Sequence, residues 1–119
     1  MNADIQAVQV HLKEAQEKVA LGKCLERLTK NRDFRKLIEQ KFFKDEPARL
    51  VMLRGCPDQQ SESAQLEINN DMIAIAGLFQ FFCCVNGEAR AMEHAIEADK
   101  QMVNDLEDAE ANEAAQGDM

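Results

Sequence analysis

Two histidines, four cysteines and twenty-two carboxylates are the groups in this chain that could do chemistry, and their spacing gathers none of them into a site. A metal centre needs convergent imidazoles, thiolates or carboxylates at ligand spacing. Only His11 and His94 occur, and no Cys-x-x-Cys pair does. A nucleophilic thiol needs a basic neighbour and a lowered pKa. Cys56 is the one thiol expected in a loop, just after a helix end whose dipole disfavours a thiolate. Cys24, Cys83 and Cys84 read as small core or seam residues. Acid–base catalysis needs carboxylates among perturbing neighbours, whereas Glu107, Asp108 and Glu110 lie in a solvated acidic run. Gly22, Gly55, Gly77, Gly87 and Gly117 stand singly, so no phosphate-cradling loop is present. The expectation is a protein that is not an enzyme, with no metal and no cofactor.

What the chain does carry is charge, unevenly placed. From Glu93 to Met119 there are nine carboxylates and one cation, Lys100, which accounts for the whole net charge of -8. Residues 1–92 balance, and within them Lys23 to Arg54 holds ten bases against five acids. A basic middle and an acidic end suit contacts between proteins, or between copies of one protein.

Helical periodicity runs through most of the sequence. Ile5, Val8, Leu12, Ala15, Val19 and Gly22 alternate steps of three and four, which is a heptad seam on a first helix over about Ala3 to Lys30. Gly22 costs that helix about 1 kcal/mol relative to Ala, a cost that close helix–helix approach would offset. Asn31-Arg32-Asp33 interrupts it and caps a short second helix bearing Phe34, Leu37, Ile38 and Phe42. A fresh start is expected at Lys44-Asp45-Glu46-Pro47, with Asp45 or Glu46 as cap, for a third helix ending at Arg54-Gly55 in a left-handed glycine. Cys56 to Ser61 reads as a loop, and Ser61 or Ser63 as the next cap. The last helix carries Ile68, Met72, Ile75, Phe79 and Phe82. Its stripe survives Asn86-Gly87 through Ala89, Met92, Ile96, Val103 and Leu106, which favours one long helix.

The expected fold is all-α, an elongated helical hairpin of two long helices bridged by two short ones. Residues 1–106 form a single helical domain, and 107–119 an acidic, disordered tail. No secretory signal is read at the N-terminus. The apolar stretch Met72 to Val85 is too short to span a bilayer, so no membrane partner is expected. Four free thiols suit a reducing cytosol.

The residues expected to bind protein are Arg32, Arg35, Lys36 and Arg49 on the basic segment, Phe43 and Phe81 off the apolar stripes, and Asp105, Glu107 and Asp108 on the acidic one. The basic residues alternate with Asp33 and Glu39, so an acidic protein partner, such as the C-terminal segment of a neighbouring copy, is favoured over nucleic acid.

The segment LERLTKNRDFRKLIEQKFFKDEPARLVML, followed by IAIAGLFQFF, resembles small helical proteins encoded by tailed bacteriophages. The Asp33-Phe34 pair opening a short helix, an aromatic at Phe42 or Phe43, the run Ala48 to Val51 and the stretch Ile75 to Phe82 carry the likeness, over roughly residues 20–85. The resemblance implies a phage setting, in the virion or the host cytoplasm, and supplies no catalytic residues. Together these features predict a non-enzymatic virion structural or assembly protein, acting by helix-mediated contacts with other phage structural proteins and with itself. The alternative is an early phage protein that inhibits a host protein, with its carboxylates imitating nucleic acid.

Overall fold

Helix is the only regular structure among the described residues, 2–117 of a computed structural model. The order is α1 (Asn2–Lys30), α2 (Arg32–Phe34), a π-helical segment (Arg35–Asp45), α3 (Glu46–Arg54), a single 3-10 turn (Pro57–Gln59) and α4 (Glu62–Gly117). The fold is all-α: two long helices pack together and a middle helix bridges them. Contacts divide the chain into two units, Met1–Lys23 with Val85–Met119, and Cys24–Cys84.

In the first unit, α1 packs antiparallel on the C-terminal half of α4. His11 Nδ1 lies 2.8 Å from an Asp99 carboxylate oxygen, while Gly22 lies against Ala89. As numbering rises on one helix it falls on the other. The heptad seam of α1 is the side that turns inward. Ile5 and Ala15 are buried, and Val8, Leu12, Val19 and Gly22 are half-buried. On α4, Ala89 is buried while Val85, Met92, Ile96, Asp99, Val103 and Leu106 are half-buried, in unbroken three- and four-residue steps. Asn86-Gly87 leaves no mark on the helix, as the surviving phase predicts. The helix also runs on to Gly117, so 107–117 are helical where the sequence reading places a disordered tail; Asp118 and Met119 lie outside the described residues.

The second unit corrects the sequence reading in its bridge. One rod of 23 residues, with α2, the π-helical segment and α3 continuous, stands in place of two short helices. Asn31 caps its start, its side chain accepting from the backbone N–H groups of Asp33 and Phe34 at 2.9 and 3.0 Å, a cap worth about 1 kcal/mol. No break follows at 44–47. Asp45 has helical φ/ψ of -70 and -41 and makes no capping bond. Its carboxylate instead accepts from the Gln40 side chain at 2.9 Å, five residues back, which is the π spacing. Gly55 ends the rod at φ -88, without the left-handed turn expected of it. Ser61 caps α4 by accepting from the Ala64 N–H at 3.2 Å.

The π segment decides what this rod buries. With about 4.4 residues per π turn, the nine residues from Phe34 to Phe43 complete close to two turns. In an α-helix the same step is about two and a half turns and would put the rings on opposite sides. Phe34 and Phe43 therefore share a face, and both meet Phe82 at centroid separations of 5.9 Å. Phe43 also stands edge-on to Phe79 at 5.4 Å, Phe42 lies 5.8 Å from Phe43, and Phe81 6.0 Å from Phe82. All six phenylalanines thus join one network of mostly edge-to-face pairs, each worth about 0.5–1.5 kcal/mol beyond its burial. Leu37, expected on the buried stripe, is rotated out and is 65% exposed. Below the rings lies the core of this unit: Leu50, Ile68 and Ile75, with Phe42, Phe43, Leu53 and Met72 packed around them.

Candidate protein-docking groove

α3 and the N-terminal half of α4 do not close completely over that core. Between them runs an open groove of about 380 Å³, lined by Phe43, Pro47, Val51, Met72, Ile75, Ala76 and Phe79. Each lining residue has a local reason to be there. The π turn brings Phe43 round to α4. Pro47, near the start of α3, offers a ring and no N–H. Val51 follows the fully buried Leu50 by one residue and so points outward, 60% exposed. Phe79 sits at the edge of the α4 stripe, where Leu78 takes the half-buried position expected of it. One edge of the Phe79 ring meets Phe43 and 49% of the residue is wet. The lining holds no ionisable side chain, so the groove is apolar and none of its lining side chains can move a proton.

Apolar exposure concentrates in this unit. Leu28, Leu37, Val51, Met52, Leu66, Ile73, Phe79 and Phe81 are all exposed there, against Val10, Leu21 and Met102 in the other. Charge is distributed the opposite way. Residues 24–84 carry nine bases and nine acids, so the entire net charge of -8 falls on the first unit.

Of the residues expected to bind protein, only Phe43 reaches the groove, and as a half-buried wall rather than a free aromatic. Phe81 is 59% exposed. Arg32, Arg35 and Lys36 are exposed on the rod. Arg49 is exposed but engaged: its Nε donates to both Glu46 carboxylate oxygens at 3.1 Å. That hydrogen bond holds the Glu46 carboxyl below its ordinary range and raises the guanidinium. Asp105, Glu107 and Asp108 are exposed on α4 in the first unit, where Asp105 accepts from the Gln101 side chain at 2.9 Å. Val51, Met72 and Phe79 are not legible as a site in the sequence because the signal is the meeting of two segments. A hint was available in Val51-Met52, two large apolar residues in succession on a helix one residue wide of its stripe.

The cysteines also differ from expectation. Cys24, Cys83 and Cys84 are exposed rather than seam residues, and Cys56 is half-buried, its thiol donating to the Met52 carbonyl at 3.4 Å. Among the described residues all four are free, and no cluster of three or more metal-ligating side chains occurs. α4 contains an 18-residue window of mean hydropathy 1.5, only 11% buried. By length and composition that window suffices to cross a bilayer, which corrects the expectation that its apolar stretch is too short. No protein family model matches the chain, and no curated protein or solved structure is similar to it.

Proposed function

We propose that this chain is a non-enzymatic assembly protein whose second unit docks an apolar helix of another protein in the Phe43–Phe79 groove. The observation that carries the reading is the groove itself: open, lined without a charge, and flanked by exposed Val51 and Phe79. A monomer seldom leaves contiguous apolar surface of this kind unoccupied unless a partner covers it. The groove falls wholly within residues 20–85, the stretch that resembles small helical proteins of tailed bacteriophages, so the setting is a phage particle or its assembly in the host cytoplasm. The partners are then other structural proteins of the particle.

Val51→Asp tests this. Val51 is mostly exposed, so helicity by circular dichroism should be unchanged. Seating a partner over the new carboxylate buries a charge, so binding should fall at least tenfold, about 1.4 kcal/mol. Mass spectrometry of purified particles should count the wild-type chain at a fixed copy number and the variant at a small fraction of it. Absence of the wild-type chain from particles, or equal loading of the two, would sink the proposal.

One observation favours a second reading, inhibition of a host protein by acidic mimicry. The carboxylates of 93–113 stand on an ordered helix rather than a loose tail. Replacing Asp105, Glu107, Asp108 and Glu110 by their amides should then abolish host-protein binding while leaving particle incorporation intact. Unchanged host binding removes this reading.

A further inference from the structure

The face of α4 opposite its buried stripe carries a second seam, distinct from the groove. At about 100° per residue, Leu66, Asn70, Ile73, Gly77, Gln80 and Cys84 fall on one line, directly across the helix from Ile68 and Ile75. All six are exposed, Leu66 at 59% and Ile73 at 68%. They alternate steps of four and three, the spacing of a coiled-coil seam. None is a carboxylate, an amine, a guanidinium or an imidazole, and no charged residue occurs from Met72 to Gly87. Gly77 is the telling member. A Cβ built there would meet nothing within 4 Å, as at Gly87; what sets Gly77 apart is its place on this seam, one turn from the exposed Ile73.

We infer that this seam takes a second copy of the chain, in a two-fold antiparallel pairing of α4 with α4 centred at residue 75. In that register Ile73 of each copy fills the gap over Gly77 of the other. Asn70 faces Gln80, amide to amide, and Leu66 covers Cys84. Large meets small and donor meets acceptor in every layer, and the paired amides fix the register as a single polar seam position does in coiled coils. A parallel pairing sets Ile73 on Ile73 and leaves a void between two glycines. It also runs the acidic stretches from Glu93 onward side by side, whereas the antiparallel one points them in opposite directions. Because residues 24–84 carry no net charge, this face adds no like-charge repulsion of its own to the pairing.

The test uses the full-length chain. Light scattering coupled to gel filtration should give a dimer at micromolar concentration. Gly77→Leu, which has open space in the monomer, should leave helicity by circular dichroism unchanged yet weaken dimerisation at least tenfold, and adding Ile73→Ala should restore it. With Cys84 as the sole remaining cysteine, Leu66→Cys should form an inter-copy disulfide under mild oxidation. Within one chain the two are about 27 Å apart along the helix, too far to bridge. Val51→Asp should leave the dimer intact, so failure of the groove reading and failure of this one are distinguishable. A monomer at all concentrations, a dimer insensitive to Gly77→Leu, or linkage through Ile73→Cys instead of Leu66→Cys would overturn the proposal. So would a monomer that floats with phosphatidylcholine–phosphatidylglycerol vesicles, since a bilayer would then be what covers this face.

Discussion

Leu50→Ala is expected to lower the unfolding free energy by about 2–5 kcal/mol, the largest loss from any single side-chain truncation in the second unit. Leu50 is fully buried, at 0% exposure, and Ile68, Ile75, Leu53, Met72 and two phenylalanine rings surround it. The loss joins a transfer contribution, since three carbons leave an apolar site, to the dispersion contacts that their neighbours cannot remake. Phe42 is paired with Phe43, and Phe43 with Phe79 and Phe82, which restricts collapse into the gap and pushes the effect toward the upper end. For a chain of this length each kcal/mol lowers the melting temperature by roughly 3–6 °C. The neighbouring Val51→Ala, at a position 60% exposed, should stay within about 0.5 kcal/mol. Urea melts of the two variants side by side check the contrast. Equal losses would mean that the rod presents a different face to α4.

What was legible in the sequence and what was not divides along helix type. Every seam position read for α1, from Ile5 to Gly22, is buried or half-buried, because an apolar period near 3.5 has only one face on which it can be hidden. The long α4 was legible for the same reason across Asn86-Gly87. The middle rod was not. Its rings repeat on a π period, and reading them at α spacing puts Leu37 inside and Phe43 outside, the reverse of what is found. Pro47 predicts the start of a fresh helix, since proline commonly opens one. Here it follows the π turns directly, with no N–H to offer the carbonyl four residues back. The acidic end was underread because its apolar stripe fades, although Ala, Glu and Gln are strong helix formers without one. Of the docking groove, the sequence supplied Phe43 for the wrong reason and missed the residues opposite it on α4.

The uneven division of charge and grease gives these contacts a physical logic. The second unit has no net charge and leaves apolar side chains exposed on its groove side and on the outer side of α4, and such surfaces invite indiscriminate association. The net charge of -8 on the same chain opposes the crowding of copies by like-charge repulsion. On the proposed reading, shape at two apolar faces selects partners while like charge elsewhere restrains assembly, so higher salt should favour larger assemblies.

Gly22→Ala should destabilise the chain, against the usual sign for a glycine inside a helix. Helix propensity alone favours alanine by about 1 kcal/mol. But a Cβ on Gly22 would collide with the Cβ of Ala89, whose Cα is itself only 3.8 Å away. Both groups are rigidly attached to helix backbones, so neither can rotate aside. α1 and α4 must separate, which loosens Val19 and Met92 as well, at a cost of about 1–3 kcal/mol for such overpacking. Ala89→Gly alone should also lose stability, by the same propensity and a buried methyl of about 0.8 kcal/mol. Combined, the two changes move one methyl from one helix to the other, and the double variant should recover most of what Gly22→Ala loses. A favourable coupling of about 1–3 kcal/mol in this cycle measures the close approach directly. Gly87→Ala, where a Cβ meets nothing within 4 Å, serves as the control and should gain stability. If Gly22→Ala gained as much as Gly87→Ala, α1 would not lie against Ala89, and the antiparallel pairing of the two long helices would have to be redrawn.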